Sequence, residues 1–464
     1  MLRTVQGQAG YIPSLPSLDD SGVISSYPPQ MGVVGANCIW VGGSIPSGNA
    51  ALYLFRAKAN TPIPYVRRYA PLFEIHCFER GEDMRFNLRE WLRFYICSGL
   101  VMASGVGFSQ RLSFAPGVNY PVGEEPQQVA IGDLNGDGIP DITVTNFASN
   151  TVSIYLGRGN GTFVAGSPVT APTPQWIVIA DLNGDGIPDL AVTPGFSPFV
   201  TLLFGKGDGT FHSPVTVAAG ENANGIAVGD LNGDGKPDLV VANSVFGSGY
   251  ITILINKGDG TFRQPIHVAA GYDPILVAIA DFDSCGLPDI AVANLGLESP
   301  GMEGSVAIVH NRGDGTFEAP KFYAAGNSPE ALVVGDFNRD GRLDIAVAAN
   351  QSGNQGSVAV LLADYHGGFE PPRFYAAGLS PFKLAVADFN DDGNPDLAVA
   401  DNGNGKFAVL LGNGDGSFQP PRYLQGTVTA TGVSAGDLNG DGKPDIVGVD
   451  FDLLEITVFI NTTK

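Results

Sequence analysis

One string of residues recurs along this chain with the types and spacing that hold a metal ion: D-x-[ND]-x-[DC]-G-x-[PL]-D, beginning at Asp133, Asp181, Asp230, Asp281, Asp336, Asp388 and Asp437. Positions 1, 3, 5 and 9 carry side-chain oxygens, and the carbonyl of position 7 adds one more. A hard cation such as Ca2+ collects six to eight oxygens, so the string reads as a calcium loop. In the first copy the ligands are Asp133, Asn135, Asp137, the carbonyl of Ile139, and Asp141. The second uses Asp181, Asn183, Asp185, Ile187 and Asp189, and the third Asp230, Asn232, Asp234, Lys236 and Asp238. The fifth uses Asp336, Asn338, Asp340, Arg342 and Asp344. The sixth and seventh use Asp388, Asn390, Asp392, Asn394 and Asp396, then Asp437, Asn439, Asp441, Lys443 and Asp445. Glycine at position 6 permits the sharp turn. Proline at position 8 restrains residue 7 to an extended conformation that can aim its carbonyl at the ion.

Two copies depart from the pattern. The fourth keeps Asp281, Asp283 and Asp289 but has Cys285 at position 5, and a thiol is a poor ligand for an oxygen-seeking ion. Six or seven calcium sites are therefore expected, the site at Asp281–Asp289 being weak or empty. In the fifth, Leu343 replaces proline and Arg339 and Arg342 add positive charge, so that site is expected to be kept but weakened. An EF-hand shares the first nine positions but needs a bidentate Glu at position 12 and flanking helices. Position 12 here is Val144, Val192, Val241, Val292, Val347, Val399 and Gly448, which excludes it.

The loops start 48, 49, 51, 55, 52 and 49 residues apart, a period that suits a four-stranded propeller blade. Each repeat reads as four strands: an apolar run into the loop, a second leaving it, a third, and a fourth after a Gly-rich turn such as Gly207-Asp208-Gly209-Thr210-Phe211. The residue before each loop is small: Gly132, Ala180, Gly229, Ala280, Gly335, Ala387 or Gly436. That taper marks the first strand as the innermost. The last copy stops at Asn461 without a fourth strand, while an orphan fourth strand runs from Phe114 through Tyr120. The expected fold is an all-β, seven-bladed propeller over residues 110–464, its N-terminal strand completing the last blade and removing the open edge.

The net charge of −22 sits almost wholly in the repeats: residues 1–107 carry +2 and residues 108–464 carry −24. A surface this acidic repels phosphate backbones, so no nucleic-acid partner is expected. Up to seven calcium ions would bring −24 to −10. Of Cys38, Cys77, Cys97 and Cys285, only the last lies in the repeats, so no disulfide framework holds them. Residues 1–83 show no repeat and remain unassigned, or a mis-set start. From Met84, three arginines (Arg85, Arg89, Arg93) precede an apolar run from Phe94 to Phe108, which reads as a secretory signal over 84–108. The run is too short to span a bilayer comfortably, and a secreted, extracellular, monomeric protein with no membrane span is expected.

The loop together with the Gly-Asp-Gly-Thr-Phe turn resembles the FG-GAP (VCBS-type) repeats of integrin α-subunit propellers and of many secreted bacterial proteins. The resemblance implies calcium loops joining first and second strands on one face and ligands meeting the opposite face. There this chain would present Gln128, Trp176, Leu276 and Lys383, with Phe382 beside them and Phe196, Phe246 and Tyr250 in the second-to-third loops. Such aromatics either grip a sugar or protein or plug the mouth. His212, His267, His310 and His366 fall in different repeats, and no nucleophilic or transition-metal arrangement emerges. The expected function is a non-enzymatic protein-binding or adhesion module; the alternatives are a carbohydrate-binding lectin and a polysaccharide lyase. Arg312-Gly313-Asp314 occupies the same turn as Lys206-Gly207-Asp208 and reads as a hairpin, not a recognition tripeptide. Asn461-Thr462-Thr463 is a glycosylation sequon.

Overall fold

Short β-branched and alanine-rich runs between Gly, Asn and Pro turns form strands, and among the described residues there is no helix of any kind. The computed structural model describes residues 112–464 except 246–248, 297–303, 350–355, 366 and 425–428, and before them the backbone of five strands. The chain divides into two units, Met1–Phe108 and Ser109–Lys464. In the first, Met31–Val33, Cys38–Ser44, Ala50–Arg56, Ile75–Glu79 and Glu82–Arg85 pair in sequence order as an antiparallel meander. Met84 lies in the last of these strands; the apolar run Phe94–Phe108 lies outside the described residues.

In the second unit the described strands form six antiparallel sheets, one of five strands, one of seven and four of four; the seven-stranded sheet holds two groups that share a strand, so seven groups of the same pattern follow one another along the chain. The first group is Pro126–Gly132, Asp141–Asn146, Thr151–Gly157 and Phe163–Ala165. Register is the same throughout: the small residue before each loop faces loop position 9, as Gly132 faces Asp141 and Gly436 faces Asp445. The second strand of every group is buried along its whole length, because its group is covered on both sides by neighbours.

The taper has a visible cause. A methyl group added at Gly132 would stand 3.0 Å from Ile179 Cδ1 of the second group, and one at Gly229 3.0 Å from Ile279 Cγ2 of the fourth. The same relation joins the ends of the series: a methyl at Gly436 of the seventh group would lie 3.5 Å from Ile131 of the first. The seventh group takes its fourth strand from the start of the unit. Val118–Pro121 pairs with Glu455–Phe459, Val118 facing Val458, and Phe114 bridges Asn461. The Tyr155 hydroxyl of the first group donates to the Pro121 carbonyl.

One junction differs from the reading of separate strands. Val215–Gly229 is a single strand, pairing with Ser197–Leu203 through its first half and with Asp238–Asn243 through its second. Five groups open on Pro126, Pro174, Pro274, Pro329 or Pro381, which have no N–H to extend a ladder. Ala223 stands at that place in the third group and Ala430 in the seventh; in the third the strand runs on through a bulge between Ala223 and Ile226.

Candidate metal-binding loops

Each Asp loop is a nest of side-chain oxygens pinned by its own backbone. Asp133 Oδ1 accepts from the amides of Gly136 (2.8 Å) and Asp137 (3.2 Å), and its Oδ2 from Gly138 (2.7 Å). Asn135 Oδ1 accepts from Asp137 N at 2.9 Å, and Asp137 Oδ1 from Ile139 N at 2.8 Å. The loops from Asp181, Asp230 and Asp437 repeat these bonds within a few tenths of an ångström. Gly138 has φ 80, and a Cβ there would touch nothing within 4 Å. Glycine is therefore required at position 6 by backbone conformation, not by crowding.

Position 9 does a second job. Asp141 is fully buried; its Oδ2 accepts from Leu134 N (2.9 Å) and its Oδ1 from Gly157 N (2.7 Å). The carboxylate thereby ties loop position 2 to the end of the third strand. Asp189, Asp238, Asp344, Asp396 and Asp445 make the same pair of bonds. The neighbouring group then clamps the loop: Asn256, Asn311 and Asn461 donate their side-chain amides to the position-2 carbonyls of Leu182, Leu231 and Phe389. Carboxylate and amide oxygens carry two lone pairs each, so backbone bonds that use one leave capacity for an ion. A donor set made only of oxygens, held in place before any ion arrives, fits calcium.

Burial gives the position-9 carboxylates an acid-sensitive character. Desolvation pushes Asp396 up to about 7 and Asp238, Asp344 and Asp445 to about 6, against the backbone donors that lower them. These folded values lie above the unfolded ones. In ion-free protein the native state thus takes up protons that the unfolded state does not, and its stability rises as pH falls from 8 toward 6. With calcium the sign reverses, because protons and ions compete for the same oxygens. Melting curves between pH 8 and pH 6, with EGTA and with calcium, should move in opposite directions; parallel movement would show that these carboxylates do not meet the ion.

The fourth loop is built differently. Cys285 is exposed and its amide bonds Asp281 Oδ1 (3.1 Å) and Asp283 Oδ1 (3.0 Å). The Asp283 carboxylate beside it holds the thiol above its ordinary value. His310 enters from the end of the third strand, its Nδ1 3.0 Å from Asp289 Oδ2 and 3.8 Å from Asp283 Oδ2. The amide of Phe282 stands 3.3 Å from Asp289 Oδ2, where the other six loops have 2.9–3.0 Å. Sequence reasoning placed His310 only as the end of a strand. Its signal was positional: the other groups have Leu156, Phe204, Ile255, Leu362, Leu411 and Ile460 at that place. In the fifth loop Arg342 pairs with Asp340 at 2.5 Å and stacks on Tyr365, 3.8 Å from the ring centroid.

The expected ligand-face residues turn inward. Trp176 is 5% exposed and donates its Nε1 to Asn224 Oδ1 at 2.9 Å. Lys383 Nζ lies 3.9 Å from the Trp176 ring centroid and 4.1 Å from that of Phe382. Leu276 packs against three separate hydrophobic clusters, and Gln128 Oε1 accepts from Ile177 N. These side chains fill the space between first strands of different groups. Tyr250 is held by the amide of Glu221 and by His267, Phe246 and His366 lie outside the described residues, and Phe196 is 82% exposed. Arg312-Gly313-Asp314 is a hairpin turn in which Asp314 Oδ1 accepts from the amide and hydroxyl of Thr316. Asn461 is buried, its amide bonded to the carbonyls of Phe389 and Pro444, which leaves no acceptor for a glycan.

Strand groups of constant register, each opening on one Asp loop, define an all-β repeat protein. The profile of the FG-GAP-like repeat matches residues 133–192, 181–241, 231–292, 281–347 and 388–448. The chain belongs to the FG-GAP-like repeat family. No curated protein matches it. Among solved structures, a functionally unknown protein from Desulfotomaculum acetoxidans DSM 771 is similar at 16% identity and TM-score 0.48, over 66% of this chain and 88% of that one. The V. cholerae biofilm matrix protein Bap1 is similar at 12% identity and TM-score 0.40, over 76% of this chain and 91% of that one.

Proposed function

We propose that residues 109–464 form a calcium-stabilised seven-bladed β-propeller that serves a secreted protein as a non-enzymatic adhesion or protein-binding module. The observation that carries the reading is the repetition of one pinned oxygen nest at the same register position in group after group. The Gly436–Ile131 approach and the pairing of Val118–Pro121 with Glu455–Phe459 support a ring closed by its own N-terminal strand. Asp133, Asn135, Asp137, the Ile139 carbonyl and Asp141, with their five equivalents outside the fourth loop, would hold the ions. Calcium supplies charge neutralisation there: each loop gathers carboxylates that repel one another without it. The chain's own residues do the rest, fixing the loop to the third strand and to the next group.

The first-strand aromatics are occupied with packing, so binding falls to the loops between second and third strands. Phe196 supports this: it is 82% exposed and holds φ 66, a conformation a bulky residue adopts only under constraint. Calorimetric titration of the whole chain is expected to give six calcium ions per molecule. On arrays of extracellular proteins and glycans, Phe196→Ala should lower calcium-dependent retention roughly tenfold without moving the melting temperature. A count of zero would sink the calcium reading. New reducing ends released from a retained polysaccharide would make the module an enzyme instead.

A further inference from the structure

We propose that the fourth loop is a site for a borderline-soft divalent cation of the zinc type, bound by Asp283, Cys285 and His310 together with a carboxylate of Asp281 or Asp289. Two departures coincide in one group. Position 5, a carboxylate in the other six loops, is a thiol. The third-strand residue that is aliphatic or aromatic in the other six groups is an imidazole. The first removes an oxygen ligand from the loop, and the second brings a nitrogen donor to its edge. Together they replace hard donors with the nitrogen and sulfur that zinc prefers.

Two sets of side chains meet at Asp283, with Cys285 in one and His310 in the other, so an ion bound between them would draw the two sets together. The ligand atoms of Asp281, Asp283 and Cys285 lie within 4.8 Å of one another, and so do those of Asp283, Asp289 and His310. Asp283 belongs to both sets. Two ligand atoms on one tetrahedral zinc stand about 3.3–3.8 Å apart, given bonds of roughly 2.0–2.3 Å. His310 Nδ1 is 3.8 Å from Asp283 Oδ2 and 3.0 Å from Asp289 Oδ2, each within a few tenths of an ångström of the roughly 3.3–3.5 Å that a nitrogen and an oxygen take on one zinc.

The surroundings explain why an imidazole can face the loop. In four other groups the equivalent apolar side chain is covered by the Gly-rich turn of the following group: a methyl at Gly209 would meet Leu156, at Gly260 Phe204, at Gly416 Leu362 and at Gly161 Ile460. The group after the fourth has Asp364-Tyr365-His366-Gly367-Gly368 in place of that turn, and a methyl at Gly367 would lie 3.4 Å from the Cβ of Asp283. The turn thus caps the loop, and His310 is left to carry a polar ring where its counterparts carry apolar packing. Binding would release the thiol proton to solvent and leave Cys285 as thiolate.

The test uses the whole chain, stripped with a chelator, returned to calcium and given cobalt(II) as a spectroscopic stand-in for zinc. The expected result is one cobalt per molecule with a thiolate-to-metal charge-transfer band, displaced by one equivalent of zinc and retained in millimolar calcium. Cys285→Ser abolishes the band. His310→Leu, which installs the residue of three other groups, weakens zinc roughly tenfold or more while the melting temperature in calcium stays put. A band that survives Cys285→Ser, equal zinc affinity with and without His310, or displacement by equimolar calcium would each overturn the assignment. The calcium count of the other six loops is read separately by calorimetry, so this site can fail without touching them.

Discussion

Chelation with EGTA is expected to lower the melting temperature of the repeat unit by about 15 °C. At free calcium about twenty times the dissociation constant, each loop adds roughly 1.8 kcal/mol to the native state, and six loops add about 11 kcal/mol. Unfolding the span Ser109–Lys464 carries an entropy of about 0.75 kcal/mol/K, which converts that sum to the shift stated. The loops act on global stability because position 9 holds the third strand and, in the loops from Asp181, Asp230 and Asp388, a side-chain amide of the next group holds the position-2 carbonyl. Differential scanning calorimetry at fixed pH measures the shift. Identical curves with and without EGTA would remove calcium from the fold's energetics.

Excising residues 109–121 is the second large perturbation. Glu455–Phe459 then becomes an open edge, which invites pairing with other chains. Tyr120 is lost from its edge-on contacts with Tyr155 and Phe163 at 5.5 and 5.7 Å, and Phe114 from Phe389 at 6.1 Å. Truncating a fully buried aromatic costs about 3–5 kcal/mol; Tyr120 and Phe114 are half-buried, so the two together cost about 4 kcal/mol, and the melting temperature should fall by about 5 °C. Concentration-dependent dimers should appear in size-exclusion chromatography, and a peptide spanning residues 109–122 should reverse both effects. A truncated monomer with unchanged melting would refute closure through this strand.

The loops were legible in sequence because their backbone leaves little choice of residue: a positive φ asks for glycine at position 6, and the side-chain oxygens must alternate along the turn. The origin of the last fourth strand was legible by counting, since a repeat lacking one strand and a strand lacking a repeat are complementary. What the residues did not disclose was direction and approach. Nothing in the spacing of Trp176, Leu276 and Lys383 says that they turn toward one another across several groups. His310 is 21 residues from Asp289, and only strand pairing brings the two together. The fusion of two groups through Val215–Gly229 had no cue of its own, since Ala430 stands in place of the proline in the seventh group as Ala223 does in the third.

The pairing of Val118–Pro121 with Glu455–Phe459 also decides how the module bears mechanical load. Val118 faces Val458 and Phe114 faces Asn461, so the chain enters and leaves at the same end of one antiparallel pair. A pull applied between residues 112 and 464 therefore peels that pair open one hydrogen bond at a time, instead of shearing all of them together. Each bond contributes only about 1 kcal/mol. Tension passed between residues 112 and 464 is resisted weakly, whereas tension applied at one of them and at a distant strand group is shared among the groups between.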